Sequence, residues 1–392
     1  MTNVERRIVA FLVKHKFSLF LAAVSVLGLL VRLSGLDMVS GDYVNWLAPW
    51  FDEIRESGGL AALDQQIGNY NIVYQIIIAL LTYLPFDSLH LYKAVSIAFD
   101  YVLAIGVGML AREMTGRGKS IFALAYSVVL FLPTCFLNSA FWAQCDSMYV
   151  SMLVFWFLYM LRKRYIPAFI FLGLAFSVKF QTIFVFPFLL CHYVDRREFS
   201  ILHGLIPLAF AIVPNVLCGR HPLATFSIYL GQADYYKEIY MNFPSFWSIT
   251  AQRFQFLGYV AMFLTVGLLG VGLYCLLHRG HFMDSRENQL HLLIWTAWTC
   301  LMFLPSMHDR YGYLVEILLI IAAMIDLKLF PIAMLAEFSA VITYSSFLWK
   351  SSAVLPEPLV WASALYIPAY VAFTYLLLRK GKNATGIAPT AV

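Results

Sequence analysis

Apolar runs of about twenty residues, separated by short connections carrying Lys and Arg, recur from Phe17 to Leu378. A run of that length lets an α-helix cross a hydrocarbon core of about 30 Å. In lipid every backbone N–H and C=O must find a partner within the chain, so a span is a helix or part of a closed barrel, and runs this long are helical. Of 392 residues, 61% are hydrophobic and 12% charged, against about 25% charged in soluble domains. A water-soluble fold is therefore excluded. The expectation is an all-α polytopic membrane protein: a single bundle of about ten to twelve transmembrane helices over residues 1–378.

The formal charge of +5 sits mostly in short loops, where basic residues report orientation, so no nucleic-acid partner is expected. The six cysteines show no CxxC spacing and read as small apolar residues rather than a disulfide framework or metal site. Arg6, Arg7, Lys14 and Lys16 precede an apolar run, Phe17 to Leu36, that is too long for a signal peptide. It reads as a retained first span with a cytoplasmic N-terminus. Basic clusters follow at 112–119, 162–164, 196–197, 278–281 and 379–382, all expected on the cytoplasmic side.

Parity then constrains the path. The stretch 71–86 should not cross, which leaves 37–93 as one long external loop with amphipathic helices at the membrane surface. Residues 165–194 start and end beside basic clusters yet are too few for two full crossings. A pair of half-length helices breaking near Lys179 resolves this, as in membranes where such breaks line a wet cavity. Further spans are expected near 94–111, 119–137, 147–161, 200–218, 257–277, 289–306, 313–327, 330–348 and 359–378. Residues 219–256 form a second long external loop, and 379–392 a disordered cytoplasmic tail.

With this path the costly polar residues gather on the external side: Asp42 in SGDYVNW, Asn69 in GNYN, Trp142, Gln144 and Asp146 in NSAFWAQCDS, Lys179 at the helix break, and His308, Asp309 and Arg310 in PSMHDRYGY. Ionisable groups at membrane depth cost about 2.5–3.5 kcal/mol each on insertion scales, so their clustering points to a polar site. One carboxylate among several cations fits a group transfer: Asp42 as general base on an acceptor hydroxyl, with Lys179, His308 and Arg310 holding a lipid phosphate as it leaves. The external loops contain no DxD, so neither metal nor cofactor is expected. Each residue also has a plainer reading. Asp42 can cap a helix, and Lys179 can snorkel or be paired. His308 to Arg310 can be a salt-bridged turn, and Trp142 to Asp146 an aromatic belt with a capping Asp. Asp100, inside a span, is expected to be structural.

Gly41 to Tyr43, GDY ahead of an amphipathic segment, resembles the first-loop motif of the dolichyl-phosphate-glucose-dependent glucosyltransferases of N-glycan precursor assembly, within the GT-C superfamily. Asp42 matches its acid. LAFSVKFQTIFVFPFLL resembles their FKQM-type helix break, matching Lys179 and Gln181, although Phe180 separates the two here. MHDRY resembles their HxHEK-like loop and the MHERY of bacterial proteins related to the GPI-anchor mannosyltransferase, with Asp309 in place of Glu. The resemblance spans roughly residues 17–330. It implies an inverting, metal-independent hexosyltransferase whose donor is a polyprenyl-phosphate-hexose and whose acceptor is a glycan, lipid-linked or protein hydroxyl. Tyr43, Asn69, Trp142, Gln144, Asp146, Gln181 and Asp309 would bind substrate or support the site. The setting would be the external face of a cell membrane, or the endoplasmic reticulum lumen in a eukaryote, with both termini cytoplasmic. A lipid-linked glycan flippase and a ligase or polymerase using a diphosphate-linked glycan are the competing readings. The motifs leave the sugar open, because hexoses differ only in hydroxyl orientation.

Overall fold

Helix α1 (Asn3–Leu33) begins well before Phe17, because Thr2 and Glu5 close a reciprocal capping box at its start. The basic residues expected to precede the span are therefore helical. At about 1.5 Å per residue α1 exceeds the hydrocarbon thickness. The computed structural model describes residues 1–250, 254–278, 282–350 and 357–383. After α1 the chain makes a π-helical turn at Tyr43–Leu47, then α2 (Ala48–Glu56) and α3 (Ile72–Leu81). Helices α4 (Ser88–Thr115) and α5 (Lys119–Phe131) follow, then the short α6 (Pro133–Phe136) and α7 (Asp146–Leu161). Next come α8 (Tyr165–Val178), α9 (Phe186–Arg196), α10 (Leu205–Leu217) and α11 (Ala224–Tyr235). The chain ends with α12 (Phe254–Leu277), α13 (Arg286–Phe303), α14 (Tyr313–Ile325), α15 (Phe330–Trp349) and α16 (Pro358–Asn383). The protein is an all-α polytopic membrane protein. The described strand structure is a two-residue parallel pair, β1 (Tyr240–Met241) with β2 (Met307–His308).

Among the described residues five helices are long and apolar enough to cross a membrane, or six if the bent pair around Pro133 is one span. The expectation of ten to twelve helices included a broken pair, and five further apolar helices among the described residues have 10–17 residues. Several apolar runs are interrupted. The stretch expected as one span at 119–137 bends by 52°, because Pro133 lacks an N–H and holds Leu132 in an extended conformation. Glu337 of α15 takes up the freed donors, accepting from Thr134 N at 3.0 Å and Thr134 Oγ1 at 2.9 Å. Helix α3 has ten residues, about 15 Å, which is too short to cross. The break expected near Lys179 is present: α8 ends there in an extended residue, followed by a 3₁₀ turn and α9. The last helix runs on to Asn383, past the expected boundary at 378, and the tail 384–392 lies outside the described residues. So do His281 and part of the second loop, 251–253.

The basic clusters at 112–119, 162–164 and 196–197 share one end of the bundle. Glu113 in the last turn of α4 pairs with Arg162 and Arg286, Glu198 with Lys163 and Arg196, and Asp284 with Arg196. Helices α7 and α13 run from one end to the other, and the polar motifs lie at the end away from these clusters. Asp146 opens α7, Lys179 follows α8, and His308 follows α13.

Three buried cations shape that polar end. Lys93 donates to the carbonyls of Gly35, Leu36 and Met38 at 2.6–2.8 Å, fixing the exit from α1 toward Asp42. Arg220 ties down the loop before α3 through Leu63 O, Gln66 Oε1 and Gln75 Oε1. In the same loop Gly68 has φ +68°, and a Cβ there would lie 2.5 Å from the Trp50 ring. Arg32 pairs with Asp100 at 2.7 Å, and Ser139 donates to the same oxygen at 2.5 Å, so Asp100 is structural as expected. All six cysteines are unpaired.

Removing one partner of a fully buried pair leaves an uncompensated charge and costs about 3–5 kcal/mol. Asp100→Ala is therefore expected to lower the thermal midpoint of the purified protein by many degrees. Arg32→Met combined with Asp100→Leu is expected to recover most of the loss, and a double variant no better than the single one would contradict this account.

Candidate functional site

Four segments far apart in sequence converge in one chain of charges. Lys179 makes an ion pair with Asp146. Asp146 also accepts from Asn138 Nδ2 at 2.9 Å and lies 3.8 Å from Arg310 Nε. The Arg310 guanidinium continues to Asp42 Oδ2 at 3.3 Å. That same Asp42 oxygen accepts from Trp142 Nε1 at 2.9 Å and Gln144 Nε2 at 2.8 Å. Among the described residues, Asp42 Oδ1 takes none of these bonds.

Local structure explains why both donors reach one oxygen. Ala143, between Trp142 and Gln144, has φ +65°, a left-handed conformation that costs a non-glycine residue energy. The turn is held by Ala143 N to Ser139 O at 3.2 Å and Gln144 N to Asn138 O at 2.9 Å. Asp42 itself does not cap the helical turn after it. Ser40 takes that place, its hydroxyl accepting from Tyr43 N at 3.2 Å and donating to Trp142 O at 3.0 Å. Asp146 likewise makes no capping bond at the start of α7.

The chain of charges borders a cavity of about 780 Å³, within the range of small-molecule sites. Asp42, Asn69, Gln144, His308, Asp309 and Arg310 line it, six of the eleven residues singled out in the sequence. Its walls add the aromatic faces of Trp46, Trp50, Tyr70, Tyr235, Tyr236 and Phe347 and the amides of Gln66 and Gln232. Asn242, Asp309 and Phe347 also border a second cavity of about 590 Å³, whose wall includes Ser40, Gly41 and Asn45. The β1–β2 pairing brings the Tyr-rich loop onto the MHDRY segment, with Met241 opposite His308.

The other residues lie behind the wall. Lys179 is buried against Asp146, 5.5 Å from the Tyr149 ring centroid, so it does not face the cavity as expected. Trp142 is fully buried, with Phe347 on one face at 4.3 Å and the Arg310 guanidinium 5.4 Å from its ring. Gln181 is buried beside Tyr311. Tyr43 turns away, its hydroxyl bonded to Ser88 at 2.7 Å. Sequence reasoning missed Asn138 and Ala143. Asn138 stands inside the NSAFWAQCDS motif, but nothing in an alanine signals positive φ. The aromatic lining was visible only as the Tyr and Trp content expected of interfacial loops.

Burial works against the Arg310 charge, but Asp42 and Asp146 more than offset it, and the guanidinium is held above its usual range. His308 is pushed down to about 3 by burial and by the cations Arg310 and Lys179. It is therefore a neutral imidazole near pH 7, not the cation expected. Asp309 is raised to about 7, chiefly by burial, and its Oδ1 has no hydrogen-bond partner. Among the described residues no three His, Cys, Asp or Glu side chains group in a way that could hold a metal ion. Compared with models of known protein families and with curated proteins, the chain matches none.

Asp309 generates a pH prediction. Its folded pKa lies above the ordinary carboxylate value, so the folded state binds the proton more tightly and stability falls as pH rises toward 7. Asp309→Asn removes that titration. The variant is expected to melt above the wild type at pH 8, with the gap narrowing toward pH 4. A gap independent of pH would remove Asp309 as the titrating group.

Proposed function

We propose that the protein is a hexosyltransferase acting on a polyprenyl-phosphate-hexose. The observation that carries this reading is the Asp42 carboxylate. One oxygen is anchored by Trp142, Gln144 and Arg310, while the side chain remains 20% exposed on a cavity walled by aromatic rings and amides. A residue serving only as a helix cap has no use for those three donors. Aromatic faces with amide groups around them suit a sugar, whose C–H faces pack on rings and whose hydroxyls need donors and acceptors. Two adjoining cavities meeting beside Asp42 suit a reaction with two substrates.

In this mechanism the acceptor hydroxyl gives its proton to Asp42 as its oxygen bonds to the sugar C1. The bond from C1 to the phosphate oxygen breaks, and its electron pair leaves on the lipid phosphate. Attack opposite the leaving group inverts the anomeric carbon. Of the residues lining the cavity, Arg310 is the permanent cation among those described, and it would take up charge growing on the phosphate. Lys179 and His308, first expected to share that task, take other roles: Lys179 balances Asp146, which in turn orients Arg310, and His308 offers a neutral imidazole. The site lies on the non-cytoplasmic face, supported by its place at the end of the bundle away from the basic clusters. Purified protein incubated with radiolabelled polyprenyl-phosphate sugars tests the activity. A transferase releases polyprenyl phosphate, whereas a diphosphate-dependent ligase ignores that donor and a flippase turns over neither.

Sidedness is checked by labelling single cysteines in intact cells. Positions beside Asn69, Asp146 and His308 are expected to react from outside, and those beside Arg117 and Lys163 only after permeabilisation. External labelling of Lys119→Cys would defeat this orientation. Asp42→Asn keeps the size of the side chain and a hydrogen-bonding oxygen but no longer accepts a proton. It is expected to fold, bind donor and lose transfer by about 10²–10⁴-fold. Near-normal transfer would move the base elsewhere.

A further inference from the structure

At the end of the bundle opposite Asp42, about 24 Å away along α7, four arginines surround a cavity of about 580 Å³. Arg112 comes from the last turn of α4, Arg117 from the turn before α5, Arg162 from the end of α7 and Arg286 from the start of α13. One acid balances them. Glu113 accepts from Arg162 Nε at 2.8 Å and from Arg286 Nη1 at 3.1 Å, and its backbone carbonyl accepts from Arg286 at 3.2 Å. That leaves three positive charges in excess. Arg112 and Arg117 have no side-chain hydrogen bond or ion pair among the described residues, so two guanidiniums border the cavity without a counter-ion.

The walls are not uniformly polar. Met109 and Phe122 supply apolar surface beside the arginines, and Gly116 and Gly118 leave the turn bare, since a Cβ at either would meet nothing within 4 Å. A cluster that served only to orient the chain could point its arginines separately into water. Here residues from four helix ends converge on one space and Glu113 holds two of them in place. Planar guanidiniums match the oxygens of a phosphate group in pairs. An apolar wall beside them suits the glycerol and acyl carbons of a lipid.

We infer that this cavity is a binding site for a phosphate-bearing anion, with the headgroup of an acidic membrane lipid as the occupant its mixed walls favour. The site is separate from the proposed transfer chemistry and does not depend on it. Each basic residue at a membrane surface contributes about fivefold to binding of acidic lipid, hence about thirtyfold for two.

The full chain, purified and exchanged into nanodiscs or mixed micelles, can be titrated with phosphatidylglycerol, with phosphatidylcholine and with inorganic phosphate. Bound lipid is counted by native mass spectrometry, and the thermal midpoint is followed in parallel. Phosphatidylglycerol is expected to be retained and to raise the midpoint, with phosphatidylcholine inert. Arg112→Gln combined with Arg117→Gln is expected to bind it about thirtyfold more weakly, and the loop substitution Arg117→Gln alone about fivefold more weakly. Arg164→Gln, a change of equal charge outside the cavity, is expected to bind as the wild type does. If inorganic phosphate alone reproduces the stabilisation and the Arg112 and Arg117 variants abolish it, the occupant is a free phosphate. Binding of phosphatidylglycerol by the folded Arg117→Gln variant equal to that of the wild type overturns the site, as does a loss equalled by Arg164→Gln.

Discussion

The guanidinium of Arg310 lies between the carboxylates of Asp42 and Asp146, and the polar end of the molecule is organised around that shared cation. Asp146 is fully buried and meets two positive partners, Lys179 and Arg310, which offset the cost of burying a carboxylate. Asp42 needs only part of one. The burden of neutralisation thus falls on the inner acid, and the outer one is left available to the cavity. Moving Arg310 would strand a buried charge and release the outer carboxylate, so the MHDRY segment, the helix break at Lys179 and the loop after α1 are coupled through one side chain.

The backbone around this chain of charges departs from regular helix wherever a side chain has to be aimed. Lys179 sits where α8 stops, Ala143 is left-handed between two donors to Asp42, and Pro133 bends the preceding helix by 52°. Each departure frees backbone groups that water cannot reach at membrane depth. Glu337 satisfies the donors at Thr134, and Lys93 the carbonyls where α1 ends. Buried ionisable groups in this protein thus do two kinds of work. Some close the backbone where helices break, and others form the site, with Arg32 and Asp100 pinning α1 against α4 between them.

The two ends of the bundle differ in how their charge is balanced. Around Asp42 opposite charges alternate closely, and the carboxylates of Asp42, Glu238 and Asp309, the imidazole of His308 and the guanidinium of Arg310 come to the cavity. Around Glu113 one acid faces four arginines. The first arrangement suits a reaction in which charge moves between groups. The second suits holding an anion.

The all-helical membrane architecture, the shortness of α3 and the break at Lys179 were legible in the sequence. Hydrophobic length and the parity of basic clusters are properties of the chain itself, and the bilayer imposes them without reference to packing. Six of the residues that line the cavity were singled out in the sequence too, because charged and amide groups at membrane depth are costly enough to stand out. Their division of labour was not. Whether Lys179 faces a cavity or an aspartate, whether His308 is charged, and whether Asp42 or Ser40 serves the following turn depend on distances of a few ångströms between segments up to 268 residues apart. Composition and spacing carry no record of those distances. The lengths of the helices also escaped a reading by hydrophobic runs, since apolar content makes a segment compatible with lipid, while the breaks at Pro133 and Lys179 decide how far each helix reaches. Only the packed structure settles which buried charge meets which partner, because electrostatic energy at low dielectric depends on separation far more steeply than on residue type.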